Sequence, residues 1–159
     1  MYTVQQVILI DSDMEGNLRK EHKLGQVQFA SNIKISVNAG IALMYLRQQN
    51  DSLEGKPRLI ILNVNTPIMD GYEFLSELRN SRTICTKNLM IAVIKDGLTS
   101  QQIDKLRIMG VTNFIEDNFC PESLTNIIKH QIAKPFSQKS QLPSKGGIAN
   151  GNGLQVFAA

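Results

Sequence analysis

The side chains able to do chemistry collect where apolar runs stop. Ile8-Leu9-Ile10 runs into Asp11, Ser12 and Asp13; Leu59 to Leu62 runs into Asn63, with Asp70 and Gly71 a few residues on; and Phe114-Ile115 runs into Glu116, Asp117 and Asn118. Carboxylates in such places are candidates for holding a hard cation or for acting as nucleophiles. They are poor hosts for a nucleotide or flavin phosphate. The segment Ser12 to Gly16 has no Gly-rich or Ser/Thr-rich cradle, and its acids repel an anion, which excludes a flavodoxin-type cofactor enzyme. Other reactive residues read more plainly. Asp70 beside Gly71, ahead of a helical pattern, is turn and helix-capping chemistry, and Asp13 is a loop or first-turn acid. His22 and His130 belong to no metal or triad pattern and read as solvated helix positions. Cys85 and Cys120 lack metal spacing and read as free thiols of a reducing cytoplasm; Cys120, just before Pro121, reads as packing.

The elements that position these residues are legible from periodicity. Five short apolar runs, Val7 to Ile10, Ile33 to Val37, Leu59 to Leu62, Leu89 to Ile94 and Val111 to Ile115, alternate with helical patterns. Three of the runs are continuously apolar, as strands buried on both faces should be. Between them, Ala42, Leu43 and Leu46 recur at helical spacing, as do Phe74, Leu75 and Leu78, then Ile103 and Leu106, then Leu124, Ile127, Ile128 and Ile132. A first helix is expected over about Met14 to Val27, with a thin apolar face and interruptions at Gly16 and Gly25. The pattern predicts an α/β fold, (βα)5, with right-handed crossovers, a parallel sheet and helices on both faces. Its site face lies at the strand ends that feed the loops.

Composition narrows the function classes. The 159 residues are 42% apolar with Gly 11 and Pro 5, which suits one globular domain and excludes collagen-like or wholly disordered chains. No apolar run approaches the roughly 20 residues of a membrane helix, and the N-terminus carries no secretory pattern. Three of the 17 basic residues, Lys134, Lys139 and Lys145, follow residue 133, and none of the 14 acids does. The body, residues 1–133, is therefore neutral, and residues 134–159 form a Gly/Ser/Lys-containing tail. A neutral body without a basic stripe argues against nucleic acid as a partner. Leu154, Val156 and Phe157 would be the tail's docking residues if it were a ligand rather than a linker.

The motifs ILIDSD (Ile8 to Asp13), VNAGIAL (from Val37), TPIMDG (Thr66 to Gly71) and MGVTNF (from Met109) give the chain its resemblance to the CheY-like receiver domain of bacterial response regulators. The resemblance covers about residues 4–133. It implies a flavodoxin-like doubly wound sheet in the order 2-1-3-4-5 and a place in two-component phosphorelay signalling. Intact receivers accept a phosphoryl group on an aspartate after the third strand; counting back from Pro67, that position is Asn63. Two acids after the first strand help to hold Mg²⁺; here they are Asp11 and Ser12. The hydroxyl position ending the fourth strand is Ile94 or Lys95, depending on a one-residue gap, and the lysine position after the fifth strand is Asp117. Phe114 stands at the switch-aromatic position. Only Asp11 is retained, so the resemblance is to a degenerate, or pseudo, receiver.

This pattern leads to several expectations. The chain acts as a stand-alone protein-interaction module rather than an enzyme, with Mg²⁺ binding weak or absent and no other cofactor. The alternative is a phosphotransfer receiver using an unorthodox acceptor such as Asp11, Asp13 or Asp117. Lys95 and Asp117, at the ends of neighbouring strands, are expected to pair. The partner is a kinase, another regulator, an output protein or a second copy, docking on the face built by the fourth helix, fifth strand and fifth helix. Helical phase leaves Ile108 of that face exposed, and nothing drives Phe114 between rotamers.

Overall fold

A computed structural model describes residues 3–49 and 56–131; the tail from residue 134 lies outside the described residues. The order is β1 (Val4–Ile10), α1 (Met14–Gln26), β2 (Ala30–Ser36), α2 (Ala39–Gln48), β3 (Arg58–Leu62), α3 (Gly71–Asn80), β4 (Leu89–Ile94), α4 (Ser100–Ile108), β5 (Asn113–Ile115) and α5 (Pro121–Gln131). The strands form one parallel sheet in the order β2-β1-β3-β4-β5. The three continuously apolar runs are the central strands β1, β3 and β4, whose side chains are covered on both faces. At the edge, β2 turns Ile33 and Ile35 to the core, with Asn32 before them and Lys34 between them.

Two apolar layers flank the sheet. Ile8, Ile10, Ile60, Leu62, Ile91 and Val93 meet α2, α3 and α4 through Leu43, Leu46, Phe74, Leu75, Leu78 and Leu106. On the opposite face Val7, Leu9, Leu59, Ile61, Ala92 and Ile94 meet α1 and α5 through Leu24, Leu124 and Ile128. Burying a Leu or Phe side chain in such a layer contributes about 1.5–3 kcal/mol before entropy is counted. That drive explains why periodicity alone located four of the helices.

Local chemistry sets the helix starts. Asp13, Asn38, Asp70 and Thr99 each accept a backbone N–H from the first turn of the helix they precede, and Thr99 with Gln102 completes a capping box. Asp70 is therefore a cap, accepting the Glu73 amide at 2.9 Å. Gly71 beside it is required by close approach: a Cβ there would lie 2.6 Å from Val64 Cα, and its N–H donates to Val64 O at 2.8 Å. The Asp-Gly pair thus clamps α3 against the end of β3.

Candidate functional site

The site forms where the strands end. Backbone bonds from Asn63 N to Ile10 O (2.9 Å) and from Lys95 N to Ile115 O (2.9 Å) extend the ladders one step beyond the strands. Because Ile10, Leu62 and Val93 lie in register, the next step places Asp11, Asn63 and Ile94 side by side. Alternation turns this row toward the α1 and α5 face, the face of Leu9, Ile61 and Ile115. Asp117, two residues past Ile115, follows the same phase.

What occupies this row is a lysine from α1. Lys20 is buried, its side chain 6% exposed, and its Nζ lies 2.8 Å from Asp117 Oδ1 and 4.0 Å from Asp11 Oδ2. Asp11 is buried too; its Oδ1 accepts the Asp13 amide at 3.0 Å, and its carbonyl accepts Asn17 Nδ2 at 2.8 Å. One ammonium thus sits between two carboxylates brought from opposite halves of the chain. Asp117 is also held by its own N–H, which donates to Asp96 Oδ1 at 2.9 Å. A turn later, Lys23 Nζ donates to Asn118 Oδ1 (3.0 Å) and Phe119 O (2.7 Å) and lies 5.3 Å from the centre of the Phe119 ring. Through these two lysines α1 straps the segment that joins β5 to α5.

The remaining positions are scattered in role. Asn63 is half-buried, and its Oδ1 accepts the Asn65 amide at 2.9 Å, closing a local turn. Ser12 is exposed. Ile94, 4% exposed, belongs to the apolar layer under α1 and α5. Lys95 is exposed and has no carboxylate partner among the described residues, so the expected pair with Asp117 is not formed. The reason is geometric. Lys95 follows Ile94 in the pleat and so points away from the row, whereas Lys20 reaches into it from above.

Sequence reasoning did not single out Lys20, although a signal existed. Asn17, Lys20 and Leu24 recur at helical spacing on the buried side of α1, so two of the three core-facing positions are polar. A helix whose apolar stripe is replaced by an amide and an amine is reaching for polar partners beneath it. Phe114, expected from the resemblance at a switch-aromatic position, is half-buried against the α2–α4 layer, with the Arg107 guanidinium 5.3 Å from its ring centre. Ile68, in the β3–α3 loop, is 95% exposed with φ 71°, a conformation that costs a β-branched residue strain. Both histidines are exposed helix residues, and Cys85 and Cys120 are free thiols.

No family model matches the sequence. Among curated proteins, a probable transcriptional regulator, ycf29, of Porphyra purpurea is 34% identical over 95 residues, 60% of this chain and 44% of that protein. The chain thus spans less than half the length of that relative. Among solved structures, a two-component response regulator from Cytophaga hutchinsonii superposes with a TM-score of 0.70 at 14% identity, covering 82% of this chain and 98% of that one. Chemotaxis response regulator CheY4 of Vibrio cholerae superposes with a TM-score of 0.62 at 20% identity, covering 80% and 98%. The class is therefore the flavodoxin-like doubly wound α/β fold. Within it, the chain has the CheY-like receiver-domain fold of two-component signalling proteins.

Proposed function

We propose that this chain is a protein-interaction module of a two-component pathway, a receiver-type domain that works without phosphoryl transfer and is not an enzyme. The observation that carries the reading is what occupies one place: an amide at position 63, and a lysine ammonium held between Asp11 and Asp117. An amide is no phosphoryl acceptor. The residues present also do not fit Mg²⁺, which needs several anionic oxygens in octahedral array. The row offers the carboxylates of Asp11 and Asp117, an exposed hydroxyl and an amide, and a fixed positive charge already sits between the two carboxylates. Cytoplasmic action, in contact with a kinase, another regulator or a second copy, suits the two free thiols and the fold.

The proposed contact face is α4, β5 and α5. Ile108 is 85% exposed there, while Leu106 of the same helix is fully buried. Intact-mass measurement after incubation with acetyl phosphate and Mg²⁺ tests the reading. No adduct is expected; an adduct mapping to Asp11, Asp13 or Asp117 would replace it with the alternative of an unorthodox acceptor.

A further inference from the structure

A buried lysine must be paired or lose its proton, because a lone ammonium out of water is costly. Lys20 is paired twice: to Asp11, whose Oδ1 accepts the Asp13 amide, and to Asp117, whose backbone N–H donates to Asp96 Oδ1. Bonds other than the lysine's thus hold the Asp11 carboxylate and the Asp117 backbone, and the lysine fills the gap between the two carboxylates. We infer that Lys20 is a tethered cation. It occupies the place in the row where the Asp11 and Asp117 carboxylates converge, and it closes that place to divalent cations in solution.

A tethered charge differs from a dissolved ion in one decisive respect. Its effective concentration is set by the helix that carries it and is not diluted, so a competing ion must displace a group that cannot leave. Lys20 is on α1, two turns after the Asp13 cap, and α1 is held down by Asn17 and Lys23 as well. The same charge keeps the β5–α5 segment closed over the row, so Lys20 is also a positioning residue for Asp117 to Phe119. The inference rests on the reading of this site as one that works without phosphoryl transfer, and it adds what holds the site in place of a metal.

Mn²⁺ titration followed by electron paramagnetic resonance of the free ion tests it on the full chain. The wild type should show no saturable binding, whereas Lys20→Ala should gain a saturable Mn²⁺ site for which Mg²⁺ competes. Adding Asp11→Asn to Lys20→Ala should abolish the gain. Lys20→Arg keeps a cation in place and should stay closed. Circular dichroism melts identify any variant that fails to fold. Should Lys20→Ala fail, Lys20→Gln takes its place, and amide exchange of residues 117–119 in the wild type, unchanged by Mg²⁺, serves as the second readout. Wild-type binding as tight as that of the alanine variant, a folded Lys20→Ala with no gain, or Mg²⁺-dependent protection of 117–119 in the wild type would each overturn the inference. Acetyl-phosphate labelling of the wild type would instead remove the functional reading and leave the cation titration to stand or fall by itself.

Discussion

Two long cationic side chains are buried at opposite ends of the sheet, and their surroundings differ in kind. At the C-terminal end Lys20 meets Asp117 at 2.8 Å and Asp11 at 4.0 Å. At the other end Arg58, 1% exposed at the start of β3, donates from Nη2 to the Cys85 carbonyl at 2.7 Å, and its Nε and Nη1 have no hydrogen-bond partner among the described residues. Burial pushes the Arg58 guanidinium below its usual pKa, with Cys85 and Tyr45 pulling it partly back. Lys20 is an ion pair set into a row of acids. Arg58 is a desolvated charge leaning on a dipole. A buried cation is thus not evidence of a site; a buried cation set between two carboxylates at the strand ends is.

The sharpest way to break the comparison is to neutralise both. Lys20→Met leaves Asp11 buried without its counter-charge and is expected to destabilise by about 2–4 kcal/mol, below the usual cost of breaking a fully buried pair because Asp117 is partly solvated. Urea melts measure it. Arg58→Met removes a charge that is incompletely satisfied while keeping the apolar stem, so its cost should be smaller, about 0–2 kcal/mol. If Arg58→Met were the more damaging of the two, the distinction between paired and unpaired cations would fail.

A second pair of regions contrasts the strapped row with the open face of α4. Ile108→Glu should leave the thermal midpoint nearly unchanged, since an exposed side chain contributes little to folding, yet weaken self-association or capture of a partner by about tenfold or more, the effect of a central apolar contact. Analytical ultracentrifugation and pull-down on the full chain read the two outcomes. Unchanged association in both would remove this face from the proposal.

The smallest expected effect is at Tyr72, whose buried Oη has no hydrogen-bond partner among the described residues while Lys105 Nζ lies 4.5 Å from its ring centre. Burial, and then the charge of Asp70, pushes its phenol above the usual range. A raised phenol pKa means that the folded state favours the neutral form, so this contribution is present at neutral pH and is lost as pH rises through the folded value. Tyr72→Phe should be neutral or stabilising by a few tenths, roughly 0–0.5 kcal/mol, and should flatten the loss of stability at alkaline pH. Thermal melts across that range check the direction.

Much of this molecule could be read from residue types and local spacing. Continuous apolar runs marked β1, β3 and β4 as the central strands because a strand covered on both faces has no place for alternation. Asp70 could be read as a cap and Ile108 as exposed because both depend on neighbours within two turns of helix. The motifs pointed to Asp11, Asn63 and either Ile94 or Lys95, of which the strand register puts Ile94 in the row, and helical phase gave the interior of α2, α3 and α5. The expected partner of Asp117 was a different matter. Lys95 is next to it in strand order, but the pleat sends Lys95 outward. Only tertiary structure decided that Lys20, almost a hundred residues earlier in the chain, would fill the gap: the crossover lays α1 across the ends of β1 and β5, and no local spacing encodes which side chain a packed helix lowers onto distant strand ends.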